Sequence, residues 1–320
     1  MTPSDPPRPP APPQATTQTT APAVPLDSLD TVWFQVAGTR CNLSCTHCFI
    51  SCHPKNDSFG FLSLAAVRER LAEAERLGVR EFYFTGGEPF LNREMVPILE
   101  ATLAVGPATV LTNGTVLKDD WLVRLAAAEA AGPYSLEFRV SIDGPDAATN
   151  DPVRGAGTFA KALAGVGRLV AHGFLPILTM TRIWDDADDL AVMRSFTERL
   201  REVGYERPRI KLLPRLKIGA EAERTAGYDT FERVTHEMMA GFDRSQLVCS
   251  SARCVSDRGV HVCPILLEAP DSVLGDTLTE SAQPFPLAHG ACFTCYQYGS
   301  ICSNVAMKPA DDPQPVALTV

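Results

Sequence analysis

Strand-like and helix-like patterns alternate from residue 31 onward at intervals of about 35 residues, and this alternation narrows the possible folds more than any other feature. Short runs rich in Val, Ile, Phe, Leu and Thr read as strands at 31–37, 81–85, 108–111, 136–142, 175–181 and 209–213. Between them, Leu, Val and Ala recur at intervals of three and four over 64–77, 94–105, 119–131, 158–172 and 187–203, the mark of helices with one apolar face. Six β/α units in succession call for a parallel sheet with right-handed crossovers. In such sheets the functional groups gather at the carboxyl ends of the strands.

A chain of 320 residues, 45% of them hydrophobic, can bury a sizeable core, and one α/β barrel takes roughly 200 to 250 residues. One large domain and a small one therefore fit. The formal charge of −9 argues against broad nucleic-acid or anionic-membrane binding, which needs a basic surface. No apolar stretch reaches the roughly 18 residues of a membrane span, and the amino terminus has no charged-then-apolar signal pattern, so a cytoplasmic location is expected. Pro, Thr and Ala dominate residues 1–30 with no apolar periodicity, which reads as a disordered tail too polar to be a folded peptide-binding domain.

Two motifs carry chemistry. The first is Cys41-Asn42-Leu43-Ser44-Cys45-Thr46-His47-Cys48, directly after the first strand. A C-x3-C-x2-C loop gathers three soft thiolates and withholds a fourth, so a four-iron cluster there would keep one iron open to a ligand. Zinc completed by His47 or His53, or a buried cysteine group, are the alternatives. The second motif is Gly86-Gly87-Glu88-Pro89, at the end of the strand 81–85 and about forty residues on. Paired glycines let backbone approach a ligand where a Cβ would intrude, although alone they are a common turn.

Together the two motifs resemble those that define the radical S-adenosylmethionine superfamily, and the resemblance covers about residues 31–304. It implies a partial (β/α)6 TIM-like barrel. It also implies a 4Fe-4S cluster on Cys41, Cys45 and Cys48 whose open iron is chelated by S-adenosylmethionine, with the backbone of Gly86, Gly87, Glu88 and Pro89 accepting from the cofactor's ammonium. Reductive cleavage to a 5′-deoxyadenosyl radical, fed by a donor such as flavodoxin or ferredoxin, then abstracts hydrogen from substrate. Ser141 and Asp143, closing the strand 136–142, resemble the polar groups turned toward the cofactor's ribose; Asp143-Gly144 is equally a common turn. Arg154 resembles a residue that pairs with a carboxylate of cofactor or substrate, as a planar guanidinium suits, or it is a surface arginine. Asn113 is a further candidate at the same mouth. Lys211, Arg215 and Lys217 either meet an acidic group of the substrate or form a solvated rim.

Six more cysteines cluster late in the chain, at positions 249, 254, 263, 292, 295 and 302. A reducing compartment has little use for them as disulfides, so metal binding is favoured. The stretch 249–264 followed by Cys292-Phe293-Thr294-Cys295 resembles the SPASM/twitch auxiliary-cluster extension. Two complete four-cysteine sites would need more thiols than these, so the resemblance implies one auxiliary cluster on Cys249, Cys263, Cys292 and Cys295. Cys302 is a possible substitute ligand, Cys254 a packing thiol, and zinc the rival metal. The expected organisation is a tail at 1–30, the barrel at 31–245, the cysteine-rich domain at 246–304 and a second tail at 305–320. The leading reading is an enzyme that takes hydrogen from a small metabolite or natural-product intermediate, as an oxidation with the auxiliary cluster accepting the second electron. The alternatives are a peptide maturase forming a crosslink or thioether, and a non-catalytic iron-sulfur or zinc protein.

Overall fold

A computed structural model describes residues 21–184, 188–299 and 301. In chain order its elements are β1 (Ala23–Val24), β2 (Thr31–Gln35), α1 (Leu64–Arg76), β3 (Glu81–Thr85), α2 (Met95–Leu103), β4 (Ala108–Thr112), α3 (Asp119–Ala131), β5 (Leu136–Ser141), α4 (Ala147–Arg154), α5 (Thr158–Ala171), β6 (Ile177–Thr181), α6 (Asp189–Glu202) and β7 (Arg209–Leu213). There follow α7 (Ala220–Thr225), α8 (His236–Met239), β8 (Ala252–Ser256), β9 (Gly259–His261), β10 (Val273–Gly275), β11 (Phe285–Pro286) and α9 (Gly290–Tyr298). The six expected strands and five expected helices all appear.

Strands β2 to β7 lie side by side in sequence order, each parallel to the next. The sheet is open, as in a partial barrel, with β7 at one edge and β10 at the other. Its far side was not foreseen. β8 pairs parallel with β2, Thr31 opposite Ala252, and the antiparallel β9 and β10 follow it, so nine strands share one sheet. The cysteine-rich segment is thus stitched to the barrel's first strand.

Period-two alternation decides the layers. On β2, β3, β5 and β6 the residues Val32, Phe34, Phe82, Phe84, Phe138, Val140, Leu178 and Met180 face the helices and join one buried core with Leu71, Ile98, Leu122 and Val166. Phe34 stacks on Phe84 with centroids 5.3 Å apart. The opposite face carries Trp33, Tyr83, Glu81, Glu137, Arg139, Ser141, Thr179 and Thr181, and is largely polar. Trp33 stacks on Tyr83 at 4.4 Å, and both pack into a second core with Leu216, Val248, Cys254 and Ile265 of the later segment. Each fully buried Phe contributes roughly 1.5–3 kcal/mol of transfer free energy. Local signals agree with the packing: Ser63 caps α1 by accepting from the Ala66 N–H at 3.2 Å, and Asp146 caps α4 by accepting from the Thr149 N–H at 2.9 Å.

Order begins earlier than the composition of residues 1–30 implies. Ala23 and Val24 pair antiparallel with Pro286 and Phe285, Val24 is buried, and the Asp27 N–H donates to the Ser250 carbonyl at 2.8 Å. The reason is tertiary: a strand with little apolar content of its own gains a partner and a pocket from the carboxyl-terminal segment. Residues 1–20, the tail at 305–320 and Cys302 lie outside the described residues. None of the described helices is long and apolar enough to cross a membrane.

Candidate active site

At the carboxyl ends of β2 to β7 a cavity of about 210 Å³ opens, and Cys41, Cys45 and Cys48 all line it. The cysteine loop leaves β2 and is folded back by contacts with the strand-end motif of β3. The Gly87 N–H donates to the Gly38 carbonyl and the Glu88 N–H to the Arg40 carbonyl, each at 2.9 Å. A Cβ on Gly87 would lie 1.9 Å from the Arg40 oxygen, and one on Gly86, whose φ is +145°, would lie 2.8 Å from the Ala37 nitrogen. The paired glycines therefore let the cysteine loop itself pass close by, in addition to lining the cavity.

Gly86, Gly87, Asn113, Ser141 and Arg154 reach the cavity wall. Asn113 donates through Nδ2 to Asn42 at 2.9 Å and lies 3.8 Å from the Cys41 sulfur. Glu88, Pro89 and Asp143, expected to face the cofactor, are not among the lining residues. Pro89 is buried at the start of a short 3-10 turn. Glu88 is turned inward, where its carboxylate accepts from the Thr112 hydroxyl at 2.7 Å, the Asn113 N–H at 2.8 Å and the Phe90 N–H at 3.2 Å. Burial pushes its pKa up to about 7 against those donors.

Asp143, completely buried, is the hub of a chain that sequence reasoning missed. Its carboxylate lies 2.6 Å from Nε2 of His47 and 2.5 Å from Nε of Arg154, and accepts from the Thr181 N–H at 2.7 Å. Burial opposes its ionisation, yet Arg154 and His47 outweigh that and hold the carboxyl well below the usual range. Arg154 is correspondingly committed to Asp143, a departure from its expected pairing with a ligand carboxylate. His47, weighed in the sequence only as a zinc ligand, lines the cavity with Nδ1 buried and without a hydrogen-bond partner. His53 is exposed and accepts from the Lys55 N–H.

The thiols differ among themselves. Burial pushes Cys41 up to about 12 and also raises Cys45, with Arg154 pulling the other way. Cys48 is the most acidic of the three, because the Cys52 thiol and N–H both donate to its sulfur. Cys52 is thus a hydrogen-bonding neighbour of the loop. Leu111, Leu213, Leu216 and Ile301 supply an apolar wall, and the buried Arg139 and Glu221 complete the lining. Arg139 was legible in principle: in Leu136-Glu137-Phe138-Arg139-Val140-Ser141 the polar positions alternate with apolar ones and mark the inner face.

A second thiol group lies in the carboxyl-terminal segment. Cys249 on a short turn, Cys263 after β9, and Cys292 and Cys295 on α9 line one narrow apolar pocket with Leu247, Val262, Ile265 and Phe285. Burial pushes Cys249 up to about 12, with neighbouring Cys263 adding to it, and raises Cys292 similarly. The buried Arg253 works in the opposite direction on Cys249 and Cys263. Its guanidinium ties the segment together through the carbonyls of Cys249 at 2.8 Å, Ser281 at 2.9 Å and Gln283 at 3.1 Å. Cys254 faces β2 and β9 and is fully buried in the second core. Among the described residues no three His, Cys, Asp or Glu side chains converge on a point that would hold a single ion.

An open sheet of parallel strands, a three-thiol loop closing onto a Gly-Gly turn and a cavity at the strand ends match the arrangement that the two sequence motifs led us to expect. Residues 36–184 match the sequence model of the Radical SAM superfamily, so this part of the chain is a Radical SAM domain. Such a domain implies a 4Fe-4S cluster and S-adenosylmethionine. The mycofactocin maturase MftC of Mycobacterium ulcerans is 28% identical over 86% of this chain and 84% of its own length. The GTP 3′,8-cyclase of Pasteurella multocida is 29% identical over 47% of this chain and 44% of its own. In fold the chain is similar to Streptococcus suis SuiB bound to precursor peptide SuiA, with a TM-score of 0.59 and 13% identity over 81% of this chain and 66% of that one. It is also similar to anSMEcpe with bound AdoMet, with a TM-score of 0.57 and 15% identity over 78% of this chain and 79% of that one.

Proposed function

We propose that this chain is a radical S-adenosylmethionine maturase that modifies a peptide. The observation that carries the reading is the extent of the likeness to MftC, a named maturase, which takes in most of both chains. Likeness to the GTP cyclase takes in less than half of this one. That weighs against the small-metabolite substrate that the sequence first suggested. In this reading Cys41, Cys45 and Cys48 hold the catalytic cluster, and their grouping around a cavity fits it.

When bound, the cluster and S-adenosylmethionine supply a carbon-centred radical. The chain's own residues position and shield. Asp143 locks His47 and Arg154 beside the cysteine loop, Glu88 fixes Asn113 on the cavity wall, and Leu111, Leu213, Leu216 and Ile301 keep water from the reaction space. Cys249, Cys263, Cys292 and Cys295 would hold one auxiliary iron-sulfur cluster, which would supply an electron acceptor close to the barrel. A flavodoxin or ferredoxin supplies the reducing electron.

The deciding experiment is anaerobic reconstitution followed by assay of 5′-deoxyadenosine, with short peptides encoded beside the gene set against small metabolites. A peptide that is consumed and changed in mass as the nucleoside accumulates supports the reading. Turnover on a small metabolite with every peptide unchanged overturns it.

A further inference from the structure

Beside the catalytic cavity runs a second hollow of about 460 Å³, between the ends of β6 and β7 and the face of α9. Leu213, Pro214 and Arg215 line both, so the hollow adjoins the cavity that holds the thiols. Its walls combine flat apolar groups, Trp184 and Tyr298, with the amide-like Gln297 and the hydroxyl of Thr294. Three cations also line it, and two of them are already matched. Lys217 reaches Glu232 at 2.8 and 2.9 Å, and Arg182 reaches Asp189 at 2.7 Å. Arg215 is different. Its Nε donates to the Arg182 carbonyl at 2.6 Å, which fixes the plane of the guanidinium, and among the described residues it meets no carboxylate.

We propose that Arg215 is a specificity-determining residue, which binds a carboxylate of the peptide substrate while the adjoining chain crosses from the hollow into the catalytic cavity. The proposal deepens the maturase reading and rests on it. The physical reason is the contrast within the groove: a half-buried cation, pre-oriented at one nitrogen, keeps its two terminal nitrogens for a planar acceptor. The neighbouring flat walls suit a peptide's apolar side chains. The carboxylate is either an Asp or Glu side chain or the peptide's own terminus.

Trp184 reports on the groove from within it. The reconstituted full chain is titrated with three probes while Trp184 fluorescence is followed: acetyl-Ala-Ala-Asp-amide, acetyl-Ala-Ala-Ala with a free carboxyl terminus, and the neutral acetyl-Ala-Ala-Asn-amide. Trp184→Phe identifies the signal. At least one acidic probe should bind about tenfold more tightly than the neutral one, the size of a charge-assisted hydrogen-bonded pair, and added salt should narrow the gap. Which acidic probe wins identifies the source of the carboxylate. Arg215→Gln should erase the preference and Arg215→Lys should keep part of it, with thermal melts confirming that both variants are folded. Equal binding of acidic and neutral probes, or an undiminished preference in folded Arg215→Gln, overturns the inference and leaves the maturase reading standing. The maturase reading fails separately, when 5′-deoxyadenosine accumulates on a small metabolite with every peptide unchanged.

Discussion

The two thiol groups are built on opposite plans. The first takes all its sulfurs from one loop of eight residues, 41–48, and sets a polar chain beside them, His47, Asp143 and Arg154 with Asn113 and the inward Glu88, within an otherwise apolar wall. The second collects sulfurs from positions 249, 263, 292 and 295, spread over three elements, and surrounds them with Leu, Val, Ile and Phe. A loop can present an open site because few ligands suffice and the rest of the sphere is left for a substrate. A pocket assembled from distant positions would close on whatever it held, so metal binding there would also be folding. One plan suits chemistry and the other suits a buried carrier of charge.

The largest expected effect breaks the first group and spares the second. Changing Cys41, Cys45 and Cys48 together to Ala should abolish 5′-deoxyadenosine formation under dithionite and lower bound iron from about eight to about four atoms per chain, if both sites hold four-iron clusters. Undiminished nucleoside from that variant would sink the radical assignment, and about four irons plus a tightly held zinc in the unmodified chain would replace the second cluster with an ion.

Next comes the hinge of the first group. Gly87→Ala would drive a Cβ into the Arg40 carbonyl. The cysteine loop must then shift, and cofactor cleavage should fall about 100-fold, the usual consequence of an ångström-scale misplacement. Iron at the second group should be unchanged. Loss of iron from both groups would show that the glycine supports the whole sheet.

Cys263→Ala sharpens the comparison from the other side. Removing a ligand of an electron acceptor should lower modified product about tenfold or more while cofactor cleavage changes by less than about twofold, since cleavage needs the first group alone. Equal loss of both would make the second group a structural clasp.

The smallest change concerns stability. Glu88 has a folded pKa raised from 4.5 to about 7, so its protonated form is favoured by folding. The advantage is fully present below the ordinary glutamate value and is lost as pH rises through about 7. Unfolding by urea between pH 4.5 and 8 should therefore show the parent chain losing about 2–3 kcal/mol relative to Glu88→Gln, then running parallel to it. Asp143 runs the opposite way: its lowered pKa makes its contribution present at neutral pH and lost only in acid. A pH-independent difference for Glu88→Gln would mean that the three donors keep the carboxylate charged throughout.

Much of the barrel was legible because its signals are local. Runs of strand-forming residues named β3 and β7 to the residue, whereas α4, which Asp146 caps, was not foreseen. The cysteine loop was legible for the same reason, since its whole meaning lies within eight residues. What escaped depends on pairings between distant positions. Nothing near Asp143 says that its carboxylate will meet His47 rather than a ligand, and nothing near Ala23 says that it will find Pro286. The inner-face residues Arg139 and Tyr83 were within reach, because alternation displays them once the outer face is assigned. Arg253, a cation inside the apolar strand β8, carries no such pattern; its partners, the Ser281 and Gln283 carbonyls, are brought to it only by the folded segment.

β2 begins the barrel in sequence and lies between β3 and β8 in space, so its second neighbour is roughly 220 residues away. Closing so distant a contact is slow. During synthesis the ribosome delivers the cysteine loop early and must produce more than three quarters of the chain before the strand that carries it is flanked on both sides. Until then one edge of β2, bearing Val32, Trp33 and Phe34, stays bare and able to pair with another nascent chain. A fragment ending at residue 245 should accordingly aggregate where the full chain stays dispersed, and adding residues 246–301 as a separate peptide should suppress that aggregation in light scattering. That outcome would make the late segment a shield for the edge of the first barrel strand, supplied by the same chain.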